Sequence, residues 1–180
     1  MVKPLKLNLG CGPDYREGYV NCDMSNAVKR DLAIDLDSFQ YPFKDNSVDE
    51  IFCSHVLEHL HSPEKAWTEF GRILKKGGRV IVIVPHFSRN WLSGTHKRAF
   101  SLPALDAFAV EGYCPHGVFK KIRQELHYVR HVSYNDKSIF IIAPVIDWLA
   151  NKHQTFCERV WCYLPGGFDE ILWEYEKIGD

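Results

Sequence analysis

Three strand-like segments near the start of the chain each run straight into residues that a small ligand can use: Gly10-Cys11-Gly12, then Asp23, then Asp35. Leu5-Lys6-Leu7-Asn8-Leu9 alternates apolar and polar residues as a strand does, and it ends in the turn cluster Gly10 to Asp14. Tyr19 to Cys22 reads as a second short strand closed by Asp23, and Leu32 to Ile34 as a third closed by Asp35. Bare glycines let a ligand approach the backbone and let its N–H groups face that ligand. A carboxylate ending the second strand is placed to accept both hydroxyls of a ribose, and one ending the third can accept from an adenine amino group. Taken singly, the G-x-G also reads as a plain tight turn and either acid as a cap or turn residue. The ordered series of three is what points to a cofactor site.

Further along, Tyr41-Pro42-Phe43 and the turn Lys44-Asp45-Asn46-Ser47 lead to a fourth strand, Glu50 to Cys53. Ser62-Pro63-Glu64 predicts a helix start, with Ser62 as N-cap. Ala66, Trp67, Phe70, Ile73 and Leu74 fall on one face, and Gly77-Gly78 ends the helix. Arg79 to Val84 is apolar enough to predict a strand buried on both faces. Ser101 can cap another helix, with Leu102, Leu105, Phe108 and Ala109 inward and Gly112 as its stop. A strand over Val118 to Val129, helical segments within Lys137 to Tyr163 and a final strand over Glu170 to Ile178 complete the series. Strands alternating with helices predict a single α/β domain over residues 1–180, its sheet mostly parallel. Residues 1–85 form the cofactor-binding half, and residues 86–180 the substrate-facing half with a helical insertion at about 138–164. Such sheets bind ligands at the carboxyl ends of their strands.

Charge narrows the partners. The 22 basic and 23 acidic residues leave a formal net charge of -1, which provides no global field toward nucleic acid or an anionic membrane. Lys120, Lys121 and Arg123 read as a solvated strand end. The longest apolar-rich window, Ile139 to Ala150, is too short to span a bilayer and contains Pro144 and Asp147. No apolar signal core precedes the first strand, so the six cysteines are expected reduced and the protein cytoplasmic. Cys157 and Cys162 read as core residues. Cys114 with His116 supplies only two ligands, so no metal site is expected.

Leu7-Asn8-Leu9-Gly10-Cys11-Gly12 resembles the first motif of class I S-adenosylmethionine-dependent methyltransferases. Tyr41 to Asp49, continued by Ser54-His55-Val56-Leu57-Glu58-His59-Leu60, resembles the fourth-strand region of their small type 11 branch, and Arg72 to Gly78 matches that branch too. The motifs cover residues 5–85; the remainder resembles small bacterial methyltransferases only loosely. The resemblance implies a Rossmann-like, mostly parallel methyltransferase sheet with a terminal antiparallel strand. It implies S-adenosyl-L-methionine as cofactor, with Gly10, Cys11 and Gly12 wrapping its methionine part and Asp23 holding the ribose. Met24 would pack on the adenine, Asp35 and Leu36 would contact the adenine edge, and the backbone near Ser54 and His55 would meet the amino group.

Three departures stand out. Asn8 replaces a frequent acid, so a water-mediated contact to the cofactor ammonium is weakened or remade. Asp14 stands where the extended motif has its third glycine. The first crossover, Gly10 to Gly18, is nine residues, whereas a strand-helix-strand crossover needs about a dozen or more. Shortened first crossovers favour S-adenosylmethionine over NAD, because no pyrophosphate demands a helix N-terminus. They also leave one side of the sheet thinly covered, which the 138–164 region or a second subunit is expected to cover.

The implied reaction is attack of an acceptor O, N, S or C on the sulfonium methyl, in which alignment and desolvation do much of the work. An oxygen acceptor gains from a general base, for which His55, His59, His86 and His96 are candidates at strand ends; the strongest three are His55, His86 and His96. The loop His86 to Arg98 is where an acceptor would sit, with Arg89, Lys97 and Arg98 available to an anionic one. His116, His127, His131 and His153 read as structural or exposed. A small-molecule or glycan acceptor is expected, with no nucleic acid partner and no membrane span; a homodimer through the apolar C-terminal region also fits. The competing reading is a catalytically silent S-adenosylmethionine-binding module acting through protein–protein contacts.

Overall fold

The computed structural model describes residues 3–89, 93–110, 118–130 and 139–179. Its strands are β1 (Lys6–Leu9), β2 (Val20–Asp23), β3 (Leu32–Ala33), β4 (Val48–Ser54), β5 (Leu74–Pro85), β6 (Phe119–His127) and β7 (Glu170–Lys177). They form one sheet in the order β3-β2-β1-β4-β5-β7-β6. Every neighbouring pair from β3 to β5 is parallel, and β7 runs antiparallel to both β5 and β6. The helices are α1 (Pro63–Ile73), α2 (Ala104–Val110) and α3 (Ile139–Lys152), the last followed by short helical turns over Gln154–Phe156 and Cys157–Trp161. Gly112, Cys114, His116 and His131, which figured in the sequence reading, lie outside the described residues.

One face of the sheet holds the core. Leu7, Ile51, Val80 and Tyr175 stand in one row across the strands, and Leu9, Cys53, Val82 and Trp173 in the next; all are buried. Helix α1 packs there through Ala66, Trp67, Phe70 and Ile73. The Trp67 ring meets Phe119 at 4.5 Å and Tyr175 at 5.2 Å. On the opposite face Ile81, Ile83 and Leu172 are only half-buried. The expectation that β5 is buried on both faces is therefore corrected: it alternates, because α1 covers one side only.

On the lean half of that opposite face a polar network does the work of a helix. Asn8 donates to the Asp14 carbonyl at 2.6 Å and to Asn21 Oδ1 at 3.0 Å. Asn21 Oδ1 also accepts from the Arg16 N–H, and Asn21 Nδ2 donates to the Arg16 carbonyl. Asp31 accepts from the Asn21 backbone and side chain. The loop so held lays the Arg16 guanidinium 3.5 Å from the centre of the Phe52 ring. Buried amides must find partners, and here the two asparagines find them in the short crossover itself. The Asn8 amide group is thus engaged by the covering loop.

The apolar 138–164 region is at the other end of the sheet, and this corrects its expected place. Strand β6 is the sheet edge, an exposed ladder that proteins normally cover. Asn151 accepts from the Leu126 N–H and donates to the Leu126 carbonyl, both at 2.8 Å. Asp147 accepts from the Tyr128 N–H, and Gln154 donates to the Gln124 carbonyl. Helix α3 therefore seals the edge through polar side chains while Ile141, Ile142, Val145, Trp148 and Leu149 face outward. Among the described residues no helix is long and apolar enough to cross a membrane.

Helix α1 also ends earlier than the glycine pair implies. Its last carbonyls, of Arg72 and Ile73, accept from the Asn46 and Ser47 N–H groups, so the chain turns extended at Leu74 and Gly77-Gly78 fall within β5. At the other end Ser62 makes no side-chain cap. Asp37, from a distant loop, accepts instead from the His61 and Ser62 N–H groups just ahead of the helix and so fixes the chain's entry into it.

Candidate active site

A cleft of about 550 Å³ opens at the carboxyl ends of the first four strands, lined by Gly10, Gly12, Asp23, Met24, Ile34, Asp35, Leu36, Asp37, His55, Val56, His59, Leu60, His61 and Lys97. That size falls within the range of small-ligand sites. Gly10 sits at φ +67°, and a Cβ there would lie 2.3 Å from Val56 Cγ2. Only a bare α-carbon allows the first turn to close over Val56 and face the cleft.

The acids sit as the strand ends predict, each with its own constraint. Asp23 accepts from the Gly12 N–H at 2.9 Å and from the Ser25 N–H at 2.7 Å, which locks the glycine turn to β2. A carboxylate has about four lone-pair sites, so two remain for a ribose diol. Asp35 accepts from the Asp37 N–H and the Ser38 hydroxyl, the geometry of a turn-forming aspartate. Beside it the buried Ile34 and Leu36 and the exposed Met24 offer apolar surface. Tyr41 fixes Leu36 by donating its hydroxyl to the Leu36 carbonyl at 2.8 Å. Glu69 and Arg72 in turn hold the Tyr41–Asp45 loop, which gives that motif a positioning role.

Cys11 and Ser54 are not among the lining residues. The Cys11 side chain is buried with its sulfur 3.7 Å from the Lys29 carbonyl, and burial raises its pKa. Its part is to tie the turn to β2 through its N–H, which donates to the Cys22 carbonyl.

Further along the cleft, His55 follows β4 in the left-handed conformation, φ +54°, which aims its ring across the sheet. Nε2 donates to Glu170 Oε2 at 3.2 Å, and Nδ1 lies 3.4 Å from Glu58 Oε1. Burial alone would lower the His55 pKa, but the Glu170 and Glu58 carboxylates raise it to about 9. The two carboxylates favour the protonated imidazole, which works against the general-base role expected of His55. Glu170 is held from three sides, by His55, by His127 at 2.8 Å and by Arg130 at 3.8 Å. Burial would raise its pKa, but hydrogen bonds from His127 and His55 pull it down to about 2.

The other histidine expectations divide. His86 is fully buried, with Nδ1 accepting from the Ser88 N–H and Nε2 3.5 Å from Glu158; it is a packing residue outside the cleft. His96 stands at the mouth, its ring edge-on to His59 at 4.9 Å. The loop after β5 does form a cleft wall: the Lys97 N–H donates to the Glu58 carbonyl, the Lys97 ammonium contacts His61, and Arg98 donates to the His61 carbonyl. Arg89 pairs with Asp169 at 2.8 Å, away from that wall. Sequence reasoning missed Asp37, His61, Glu58 and Glu170. Glu58 sits inside a quoted motif and was legible; Glu170 reaches His55 across 115 residues, and no local pattern signals that.

Residues 7–82 match the model of a methyltransferase domain family. An uncharacterised protein of Methanocaldococcus jannaschii is 36% identical over 92 residues, covering 44% of this chain and 40% of that protein; the chain spans less than half of that relative's length. Among solved structures, a S-adenosylmethionine-dependent methyltransferase from Archaeoglobus fulgidus superposes with a TM-score of 0.64 at 15% identity, covering 97% of this chain and 86% of that one. A complex of the Haloferax volcanii Trm112 methyltransferase activator with a protein assigned as a methyltransferase gives 0.63 at 18% identity, over 98% and 84%. Geranyl diphosphate methyltransferase in complex with S-adenosylmethionine gives 0.60 at 12% identity, over 97% and 78%. Residues 7–82 thus match a methyltransferase domain, and the chain as a whole has the Rossmann-like fold of solved S-adenosylmethionine-dependent methyltransferases.

Proposed function

We propose that the protein transfers the methyl group of S-adenosylmethionine to a small-molecule or glycan acceptor. The cleft carries this reading, because its lining residues fit each part of the cofactor. Gly10 and Gly12 would face the methionine part, Asp23 the ribose diol, and Met24, Ile34, Asp35 and Leu36 the adenine. The bound cofactor supplies an electrophilic methyl on sulfur. The chain's own contribution is to orient and desolvate, with His55 and Lys97 placing positive charge at the acceptor end.

Calorimetric titration with S-adenosylmethionine, S-adenosylhomocysteine and NAD tests the cofactor. Preference for NAD would overturn the reading. Asp23→Ala removes charge-assisted hydrogen bonds worth about 1.5–3 kcal/mol each, so affinity should fall by about tenfold or more while the chain stays folded. Unchanged affinity refutes the ribose role.

One observation favours a second reading, a module acting through protein contacts: the outward row Ile141, Ile142, Val145, Trp148 and Leu149 on α3. Contiguous apolar surface of this kind marks interaction sites, and a second copy of the chain is its simplest occupant. Trp148→Glu should lower the solution mass if so. Turnover by the monomeric variant would exclude the silent-module reading.

A further inference from the structure

Beside the cofactor cleft lies a group of side chains that methyl-donor binding leaves unused. Glu58 is completely buried on the 3-10 turn Leu57–His59. Its carboxylate oxygens accept no hydrogen bond of good geometry among the described residues; the nearest donor is His55 Nδ1, 3.4 Å from Oε1. A carboxylate has about four acceptor positions, so this buried one has room for a further partner. His59 and His96 complete the group, with ligand atoms of the three residues all within 4.8 Å of one another.

We propose that Glu58, His59 and His96 bind a first-row divalent cation, with zinc the reference case, at the acceptor end of the cleft. Three further features support the assignment. His59 Nδ1 is 3.2 Å from the Thr95 carbonyl; a carbonyl only accepts, so Nδ1 carries the proton and Nε2 keeps its lone pair. That Nε2 is the nitrogen facing Glu58 Oε1, at 3.9 Å. A backbone carbonyl behind a histidine is the usual support of a metal ligand, fixing both tautomer and ring orientation. The Lys97 N–H, one residue past His96, donates to the Glu58 carbonyl at 2.9 Å, so the two arms of the site are tied together. Two imidazoles and a carboxylate are a donor set that suits zinc and its first-row neighbours. Zinc bonds of about 2.0–2.1 Å put tetrahedral donors about 3.4 Å apart, so the group closes by about an ångström on binding.

Three protein ligands leave at least one coordination position for a water or substrate atom. His59 also lines the cleft, which places that position beside the methyl-donor site. Resting on the proposed methyl transfer, the cation would hold and acidify an acceptor hydroxyl. The hydroxyl proton passes to solvent and the oxygen bonds to the methyl carbon. The sulfur keeps the electron pair of the broken S–C bond and leaves as a thioether. The acceptor class is then a hydroxyl compound.

Metal binding is tested without cofactor or acceptor, so its failure is separate from failure of the methyltransferase reading. Zn²⁺ titration of the full chain, with Co²⁺ as a spectroscopic probe, should show one equivalent bound and a Co²⁺ spectrum lacking a thiolate charge-transfer band. His96→Ala, at the cleft mouth, and the isosteric Glu58→Gln should each weaken binding by at least about tenfold. Absence of saturable binding, a thiolate band, or equal affinity in His96→Ala would overturn the proposal. If Glu58→Gln fails to fold, His96→Ala and His59→Ala carry the test. Where a hydroxyl acceptor is turned over, chelation should abolish turnover while leaving S-adenosylmethionine affinity within about twofold; loss of both together counts against a site at the acceptor end.

Discussion

Glu170→Gln should cost stability at neutral pH and progressively less in acid. Glu170 is 6% exposed and faces His55, His127 and Arg130; a second carboxylate, Glu125, lies 3.2 Å from the far side of His127. Its pKa falls from 4.5 to about 2 in the folded chain. A depressed carboxylate stabilises the fold above its unfolded pKa, and that stabilisation is lost as pH falls through the folded value. Two and a half units at about 1.36 kcal/mol each give about 3.4 kcal/mol at pH 7, and linkage leaves about 2 kcal/mol at pH 3.5. Urea unfolding followed by tryptophan fluorescence at both pH values measures the difference between wild type and variant. It should narrow by about 1.4 kcal/mol on acidification. A difference that stays constant or widens would show that the variant acts through packing and would refute the charge argument.

Gly10→Ala and Gly12→Ala should separate. Both have positive φ, which costs an L-residue about 1–2 kcal/mol, but only at Gly10 would the new Cβ strike a side chain, Val56 at 2.3 Å; equal losses of stability would contradict the account of the first turn. Trp67→Ala should lose about 3–5 kcal/mol in denaturant unfolding, because the ring is 2% exposed against Phe70, Phe119 and Tyr175. Asn151→Ala should expose both backbone groups of Leu126 on the β6 edge, costing about 1–3 kcal/mol and speeding hydrogen exchange at Leu126 before the strands further in; uniform exchange across the sheet would argue against edge sealing.

What the sequence made legible was whatever lies within a few residues of its cause. The alternation from Leu5 to Leu9 and the glycines that stop it, the acids ending β2 and β3, and the Pro63 helix start all appear in place. What escaped depends on partners remote along the chain. Ser62 looks like a cap, but its side chain makes no cap hydrogen bond, and Asp37 pins the approach to the helix by accepting from the His61 and Ser62 N–H groups. Gly77-Gly78 looks like a helix stop, but Asn46 and Ser47 capture the last carbonyls sooner. His55 looks like a base, but two carboxylates, one of them 115 residues away, favour its protonated form. Asn8 looks like a weakened cofactor ligand; it is half of an amide pair that closes a crossover too short for a helix.

Strand β7 slots between β5 and β6, although it follows both along the chain. On a ribosome the parallel strands can assemble as they emerge, yet the β5 edge has no neighbour until residues 86–169 have been made. At about 5–20 residues per second that interval lasts about 4–17 s, during which an apolar edge is open to mispairing. The same late strand delivers Glu170 to His55. The nascent domain would therefore form the cleft at the ends of β1 to β4 early and the His55–Glu170 pair last, and the window between the two is when a chaperone has most to protect.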